Sequence, residues 1–164
     1  MSEFEIAGRV AEMLKARRET VAVAESSSGG LVSAALLAVP GASVYYAGGA
    51  VVYTRKAREQ AMGLSDNDVA GLRSSSEPYA LCLARTARER FAATWGISET
   101  GAAGPTGNRY GDKPGHTCVA IAGPNGLELS RTLETASPDR PQNMHLFAQA
   151  ALTLLLQNLG TNKL

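Results

Sequence analysis

Val21-Ala22-Val23-Ala24-Glu25-Ser26-Ser27-Ser28-Gly29-Gly30 is the segment that decides the architecture. Its first four residues are an unbroken apolar run, which reads as a short buried strand. Leu31 to Val39 is rich in Ala and Leu and is stopped by Pro40 and Gly41, as a helix with a clear end would be. The polar stretch between them is therefore a strand-to-helix turn. In such a turn the first amides of the helix have no partner within the helix, and glycine lets a ligand approach the backbone closely.

Upstream, Ile6, Val10, Met13, Leu14 and Arg17 recur at helical spacing, so a helix precedes the strand. Downstream, Tyr45 to Tyr53 is uncharged and rich in β-branched, aromatic and small residues. It predicts a strand buried on both faces, weakened by Gly48 and Gly49. A short helix over about Arg55 to Met62 follows. A longer one starts at Ser76-Glu77-Pro78, with Ser as N-cap and Pro in the first turn, and carries the stripe Tyr79, Leu83, Ala87 and Phe91.

Ile97 to Thr100 predicts a short strand opening onto the glycine-rich loop 101–115, and a loop that long in a compact domain is usually functional. Thr117 to Ala122 and Leu127 to Leu133 flank Asn125-Gly126, a strong hairpin signal. From Asp139 onward, Met144, Phe147, Ala148, Ala151, Leu152, Leu155 and Leu159 predict a long amphipathic helix. Leu146, Leu154 and Leu156 lie outside that stripe, and a second apolar face there suggests a homo-oligomer. Alternating helices and strands predict a three-layer α/β/α fold. Its mixed sheet has parallel strands and a C-terminal antiparallel hairpin, in a single domain over residues 1–164.

The composition narrows the function. The 164 residues are 45% hydrophobic and 19% charged, with 16 basic and 15 acidic side chains and a formal net charge of +1. That balance lacks the basic footprint of a nucleic-acid or anionic-membrane binder, so a small molecule is the expected partner. Cys82 and Cys118 show neither metal-ligand nor disulfide spacing and are expected as buried thiols. His116 and His145 lack a zinc-site spacing, so no metal is expected. The densest apolar stretch, Ala148 to Leu156, is interrupted by Gln149 and Thr153 and is too short for a membrane span. The N-terminus has no signal-peptide pattern, and a cytoplasmic protein is expected.

Three places could carry chemistry. The turn Glu25 to Gly30 could bind an anion, or present a serine nucleophile with helix-start amides as its oxyanion hole; capping and turn formation alone would also explain it. Tyr53-Thr54-Arg55-Lys56-Ala57-Arg58 follows a strand, and the carboxyl ends of strands line the crevice of open α/β sheets. The loop after Thr100 could surround a ligand with backbone amides, with Arg109, Asp112 and Lys113 gripping polar groups.

Taken in order, these segments resemble the CinA C-terminal domain family. The matching stretches are Ala24 to Gly30 (the family has AESCTGG), Val39 to Ser43 (VPGSS), Tyr53 to Arg58 (YSNxAK) and Thr100 to Pro105 (TGIAGP), with Ser76-Glu77 and Lys113-Pro114 as further landmarks. The resemblance implies an α/β serine amidohydrolase that deamidates nicotinamide mononucleotide without a cofactor. Carried over by position, it implies Ser26 as nucleophile, Tyr53 as its assistant, Thr100 as a ligand-contacting hydroxyl and Arg140 as a phosphate partner. Ser28, Gly29, Gly30, Gly49 and Gly101 would complete the substrate site.

The departures matter as much. The family's lysine base falls on Arg58, and a guanidinium does not take up a proton near neutral pH. Lys56 lies two residues away, on the opposite side of a helix. Asn108 to Asp112 replaces a glycine- and acid-rich segment, and His116 stands where the family has Gly. Two readings follow: an amidohydrolase acting on an amide or pyridine nucleotide, with Arg58 stabilising the alkoxide and Tyr53 or water moving the proton; or a non-catalytic nucleotide- or anion-binding module that has lost its base.

Overall fold

The computed structural model describes residues 1–160. In chain order the elements are α1 (Glu3–Arg17), β1 (Val21–Glu25), α2 (Leu31–Leu37), β2 (Tyr46–Val51), α3 (Arg55–Met62), α4 (Glu77–Arg90), β3 (Trp95–Ala102), β4 (His116–Ala122), β5 (Glu128–Glu134) and α5 (Arg140–Leu159). The five strands form one sheet in the order β2-β1-β3-β4-β5. β1 runs parallel to both β2 and β3, whereas β3–β4 and β4–β5 are antiparallel. The fold is thus the expected three-layer α/β/α with a mixed sheet.

The two faces of the sheet differ in side-chain size. Val21, Val23, Ile97, Val119 and Ile121 face α1, α2 and α5 and join Leu14, Leu36, Leu152 and Leu155 in the main core. The alternate residues Ala22, Ala24, Cys118, Ala120 and Ala122 face α4. Small side chains let α4 come close, and Gly96 shows how close: a Cβ there would lie 1.9 Å from the carbonyl oxygen of Ala84. Ser98, in the same layer, donates its hydroxyl to the Ala80 carbonyl at 2.6 Å.

Several sequence expectations match closely. The Arg55–Met62 helix, the Ser76 cap on α4 and the long helix from Asp139 onward are all present, and the structure shows Asp139 to be the N-cap of that helix. The hairpin turns at Asn125 (φ +58°) and Gly126 (φ +75°), the pair of left-handed residues that a tight hairpin needs. Others need correction. β2 is a six-residue edge strand whose residues alternate between half-buried and exposed, and is not buried on both faces. β3 is eight residues long because α4 and both neighbouring strands cover it. Cys82 is only partly buried. Leu154 is 1% exposed within the main core, and Leu156 packs against it, so these leucines do not form a separate outward face. Among the described residues no helix is long and apolar enough to cross a membrane.

The turn after β1 is held by two carboxylates on neighbouring strands. β1 and β3 pair in parallel with Ala24 opposite Ser98, and the next residues, Glu25 and Glu99, are both completely buried. Glu25 Oε1 accepts from Ser28 Oγ (2.8 Å), Gly30 N (2.8 Å) and Val32 N (3.1 Å), and its Oε2 accepts from Ser33 N (2.9 Å). This glutamate caps α2, whose N-cap residue Gly30 offers no side chain. Glu99 Oε2 accepts from Ser26 N (3.2 Å) and Ser28 N (2.8 Å), and its Oε1 from the hydroxyls of Ser27 (2.5 Å) and Thr117 (2.8 Å).

These partner sets predict opposite outcomes for two matched substitutions. In Glu25→Gln the amide nitrogen must face a backbone N–H whichever way it turns, leaving buried donors opposed. The expected loss is about 2–3 kcal/mol, a fall in melting midpoint of roughly 4–12 °C. In Glu99→Gln the amide can face Ser27 and Thr117, whose hydroxyls rotate to accept; Thr117 already has the Thr100 carbonyl 3.2 Å away as an alternative acceptor. A loss of no more than about 1 kcal/mol is expected. Thermal unfolding of both variants checks this, and equal losses would contradict it.

Candidate active site

The carboxyl ends of β1, β2 and β3 open on a cleft of two lobes, each of about 230 Å³. Ser26 leaves β1, Tyr53 follows β2, and Thr100 and Gly101 lie near the end of β3. The first lobe is lined by Ser26, Tyr53, Arg58, Ser75, Tyr79 and Thr100, among others. Ser27, Gly104, Thr106, Gly107, Asn108 and Arg140 contribute to the second. Tyr53 and Gly101 border both. Ser26, Tyr53, Arg58, Thr100, Gly101 and Arg140, far apart in sequence, are therefore brought together.

The three consecutive serines have different fates. Ser27 gives its hydroxyl to Glu99 and Ser28 gives its hydroxyl to Glu25. Ser26 is half-buried on the first lobe, and its backbone N–H is held by Glu99. Its own hydroxyl has no hydrogen-bond partner among the described residues. Local structure thus singles out one serine for the cleft.

The structure does not bring Ser28, Gly29, Gly30 or Gly49 into the lining of either lobe. The amides of Ser28 and Gly30 go to Glu99 and Glu25, and that of Gly29 to the Ser26 carbonyl at 3.0 Å. The expectation that these amides form an oxyanion hole is corrected accordingly. Gly49 is needed for packing, since a Cβ there would meet Val23 O at 2.9 Å and the Tyr46 hydroxyl at 2.7 Å. Free amides are found instead on the loop after β3, where those of Gly104, Thr106 and Gly107 have no hydrogen bond among the described residues. A run of unbonded amides beside an arginine is a natural anion cradle.

Arg58 sits on the buried face of α3 at 5% exposure. Its Nε donates to the Leu64 carbonyl at 3.0 Å and its Nη2 pairs with Asp66 at 2.6 Å, and Arg55 joins the same carboxylate. The guanidinium borders the lobe as a fixed positive charge. Lys56 is exposed and lines neither lobe. Arg140, in the first turn of α5, donates to the Gly104 carbonyl at 2.6 Å and to the Tyr53 hydroxyl at 3.0 Å. Because Tyr53 Oη accepts there, its own proton is available to a group in the cleft. Thr100 Oγ1 accepts from Ser75 N at 3.2 Å.

The lining of the two lobes holds Arg55, Arg58 and Arg140 and no acidic side chain, so the cleft favours an anionic ligand. Among the described residues no group of three His, Cys, Asp or Glu side chains could hold a metal. A larger groove of about 400 Å³ lies between α5 and β4–β5, lined by Met1, Ile6, Leu133, Leu146 and Ala150 with others. It contains none of the residues that line the two lobes and is not at the strand ends, where crevices in open α/β sheets bind ligands.

Three residues have structural roles at the cleft that the sequence did not reveal. Glu25 and Glu99 shape the turn; the available signal was a lone acid within each apolar strand. His116 is the third. Its Nδ1 meets the Glu134 carboxylate and its Nε2 lies 2.7 Å from the Ser75 carbonyl. Burial opposes its charge, but the hydrogen bonds to Glu134 and Ser75 and the charges of Glu134 and Asp112 outweigh burial and raise its pKa above the usual histidine value.

Known proteins match this chain in sequence and in structure. The family model described as the CinA C-terminal domain matches residues 3–159. A CinA-like protein of Anaeromyxobacter dehalogenans is 38% identical over 92% of this chain and 36% of its own length. One from Thermosynechococcus vestitus is 34% identical over 98% of this chain and 39% of its own length. The chain thus spans little more than a third of these relatives. The solved competence/damage inducible protein CihA of Agrobacterium tumefaciens superposes with a TM-score of 0.88 at 27% identity, covering 97% of this chain and 96% of that one. A competence-damaged protein (CinA) superfamily structure from Escherichia coli gives 0.87 at 27% identity, covering 96% and 90%. With its sheet order, its serine turn and its strand-end cleft all described, the chain belongs to the CinA C-terminal domain family.

Proposed function

We propose that this chain is a serine amidohydrolase that releases ammonia from an anionic carboxamide, with nicotinamide mononucleotide as the first compound to test. The observation that carries the reading is the unpartnered hydroxyl of Ser26 on the cleft beside Tyr53 and Thr100, while the adjacent serines are tied to buried carboxylates.

The reaction divides into two steps. Ser26 Oγ adds to the carboxamide carbon while its proton passes by way of Tyr53 or water to the departing nitrogen. The C–N bond breaks, ammonia leaves and an acyl-serine remains; water then hydrolyses the ester and returns the proton to Ser26. Arg58 acts as a fixed charge favouring the serine alkoxide and the tetrahedral oxyanion. Arg140 and the free amides of the loop hold the substrate's anionic group in the second lobe. The chemistry as written needs no cofactor, and the charge balance supports a small-molecule partner rather than a nucleic acid or a membrane.

One observation favours a second reading, the binding module without turnover. Arg58 is committed to Leu64 and Asp66, and the lining contains no lysine, histidine or carboxylate to act as base. Ammonia release by wild type, Ser26→Ala and Arg58→Lys separates the two. The amidohydrolase predicts wild-type turnover that falls about 1000-fold or more in Ser26→Ala. A silent wild type with an active Arg58→Lys would establish the binding module.

Arg140→Ala separates substrate recognition from chemistry. Losing a charge-assisted contact is expected to raise KM for a phosphate-bearing carboxamide about 10- to 100-fold. KM for a neutral carboxamide should barely move, because it makes no such contact. Equal effects on both compounds would place the anion elsewhere.

A further inference from the structure

The wall of the first lobe contributed by Ser74 and Ser75 is held in a conformation that it would not adopt unaided. Ser75 is 5% exposed and has φ +58°, the left-handed region that side-chain-bearing residues avoid. Such a residue persists only where its surroundings over-determine it. Its N–H is fixed on Thr100 Oγ1. Its carbonyl accepts from His116 Nε2 at 2.7 Å, from Cys118 Sγ at 3.5 Å and from Arg73 Nη2 at 3.5 Å.

His116 opens β4 directly opposite Glu134 on β5. One ring nitrogen faces the Ser75 carbonyl and the other the Glu134 carboxylate. Neither a carbonyl nor a carboxylate can donate, so only the protonated ring, the imidazolium, donates to both at once. It also lies 3.7 Å from Asp112. Asp112 belongs to the loop that supplies the second lobe, where it is gripped by Arg73 at 2.5 Å and by Asn108 Nδ2 at 2.7 Å. One buried cation thus touches the wall of one lobe and the base of the loop that forms the other.

We propose that His116 is a positioning residue whose imidazolium latches the Ser74–Ser75 wall and the loop after β3 into the substrate-binding geometry, so that affinity falls when the ring loses its proton. The substrate part of this proposal rests on the amidohydrolase reading; the latch itself does not. The groups facing the ring are Glu134 from β5, Asp112 and, behind it, Arg73 from the loops, and the Cys118 thiol on its own strand. Glu77 of α4 is tied to Ser130 and Thr132 and acts on Cys118. Deprotonation would leave a ring lone pair facing either the Ser75 carbonyl or the Glu134 carboxylate. Since the folded-state pKa is raised, the latch contributes fully below the unfolded value and is lost as pH rises through the folded one.

The test follows wild type and His116→Gln from about pH 6 to about pH 9, the range spanned by a raised histidine. Three quantities are read: the His116 ring titration by NMR, amide exchange over 73–76 and 103–115 corrected for its intrinsic pH dependence, and KM against kcat for carboxamide hydrolysis. In wild type the ring should titrate above the ordinary value of about 6.5. Exchange should quicken with the same midpoint, and KM should rise about tenfold with kcat steady, the effect of one lost charge-assisted hydrogen bond. His116→Gln should show the loosened exchange and higher KM throughout, without the inflection.

A ring that titrates at or below the ordinary value, or a variant whose KM profile overlays the wild type, would overturn the proposal. So would an inflection in exchange that KM does not follow, because the contact would then be structural only. If no carboxamide is hydrolysed, the ring titration and exchange still decide the latch, and the failure lies with the amidohydrolase reading. Should His116→Gln not fold, Glu134→Gln keeps the histidine and removes its counter-charge. The wild-type inflections in exchange and KM should then move to lower pH, and an unmoved midpoint would count against the latch.

Discussion

Two carboxylates buried side by side, Glu25 and Glu99, fix the turn on which the cleft is built. A buried acceptor left unpaired is costly, and each glutamate here receives four donors from the 26–33 segment and β4. The turn is thereby held in one shape. Its helix-start amides, which would attract an anion in an ordinary turn, are consumed inside the protein. Ser26 alone of the three serines keeps its hydroxyl for the cleft, and the unbonded amides that line it are on the loop after β3, beside Arg140.

The size asymmetry of the sheet explains how the remaining pieces reach that turn. Alanines and Gly96 on one face bring α4 close to β1, β3 and β4, which carries the segment before α4 to the end of β3. Ser75 can therefore meet Thr100 and His116 at once. On the opposite face α5 packs on large aliphatic side chains, and Arg140 in its first turn spans from Gly104 to Tyr53. The cleft is thus a consequence of layer spacing as much as of strand order.

How much of this was legible in the sequence depended on the range of the interaction. The cap at Ser76, the bounds of α3 and the Asn125-Gly126 turn are local, and each was read from a few adjacent residues. The alternation of strand and helix was enough for the α/β/α fold, and the motifs were enough for the family. What failed was register and edge position. Tyr45 to Tyr53 contains nothing to show that β2 has only one neighbour, and Leu154 could not be placed against a core built by other elements. The burial of Glu25 beside Glu99 exists only once β1 and β3 pair. The same pairing redirected the amides of Ser28 and Gly30 away from the cleft, and packing against Val23 explains Gly49.

Arg58 and His116 give the cleft an electrostatic character different from that implied by the family motifs. A lysine at position 58 could exchange a proton with Ser26, whereas the guanidinium held by Leu64 and Asp66 stays charged throughout. Among the described residues no histidine lines the lobes, and both ring nitrogens of His116 are engaged by Glu134 and the Ser75 carbonyl. In the amidohydrolase proposed above the proton would therefore move through Tyr53 or water, and the latch proposed for His116 would act on the shape of the lobes. The cleft and the His116 cluster are joined by one residue, Ser75, whose strained backbone is held between Thr100 and the His116 ring.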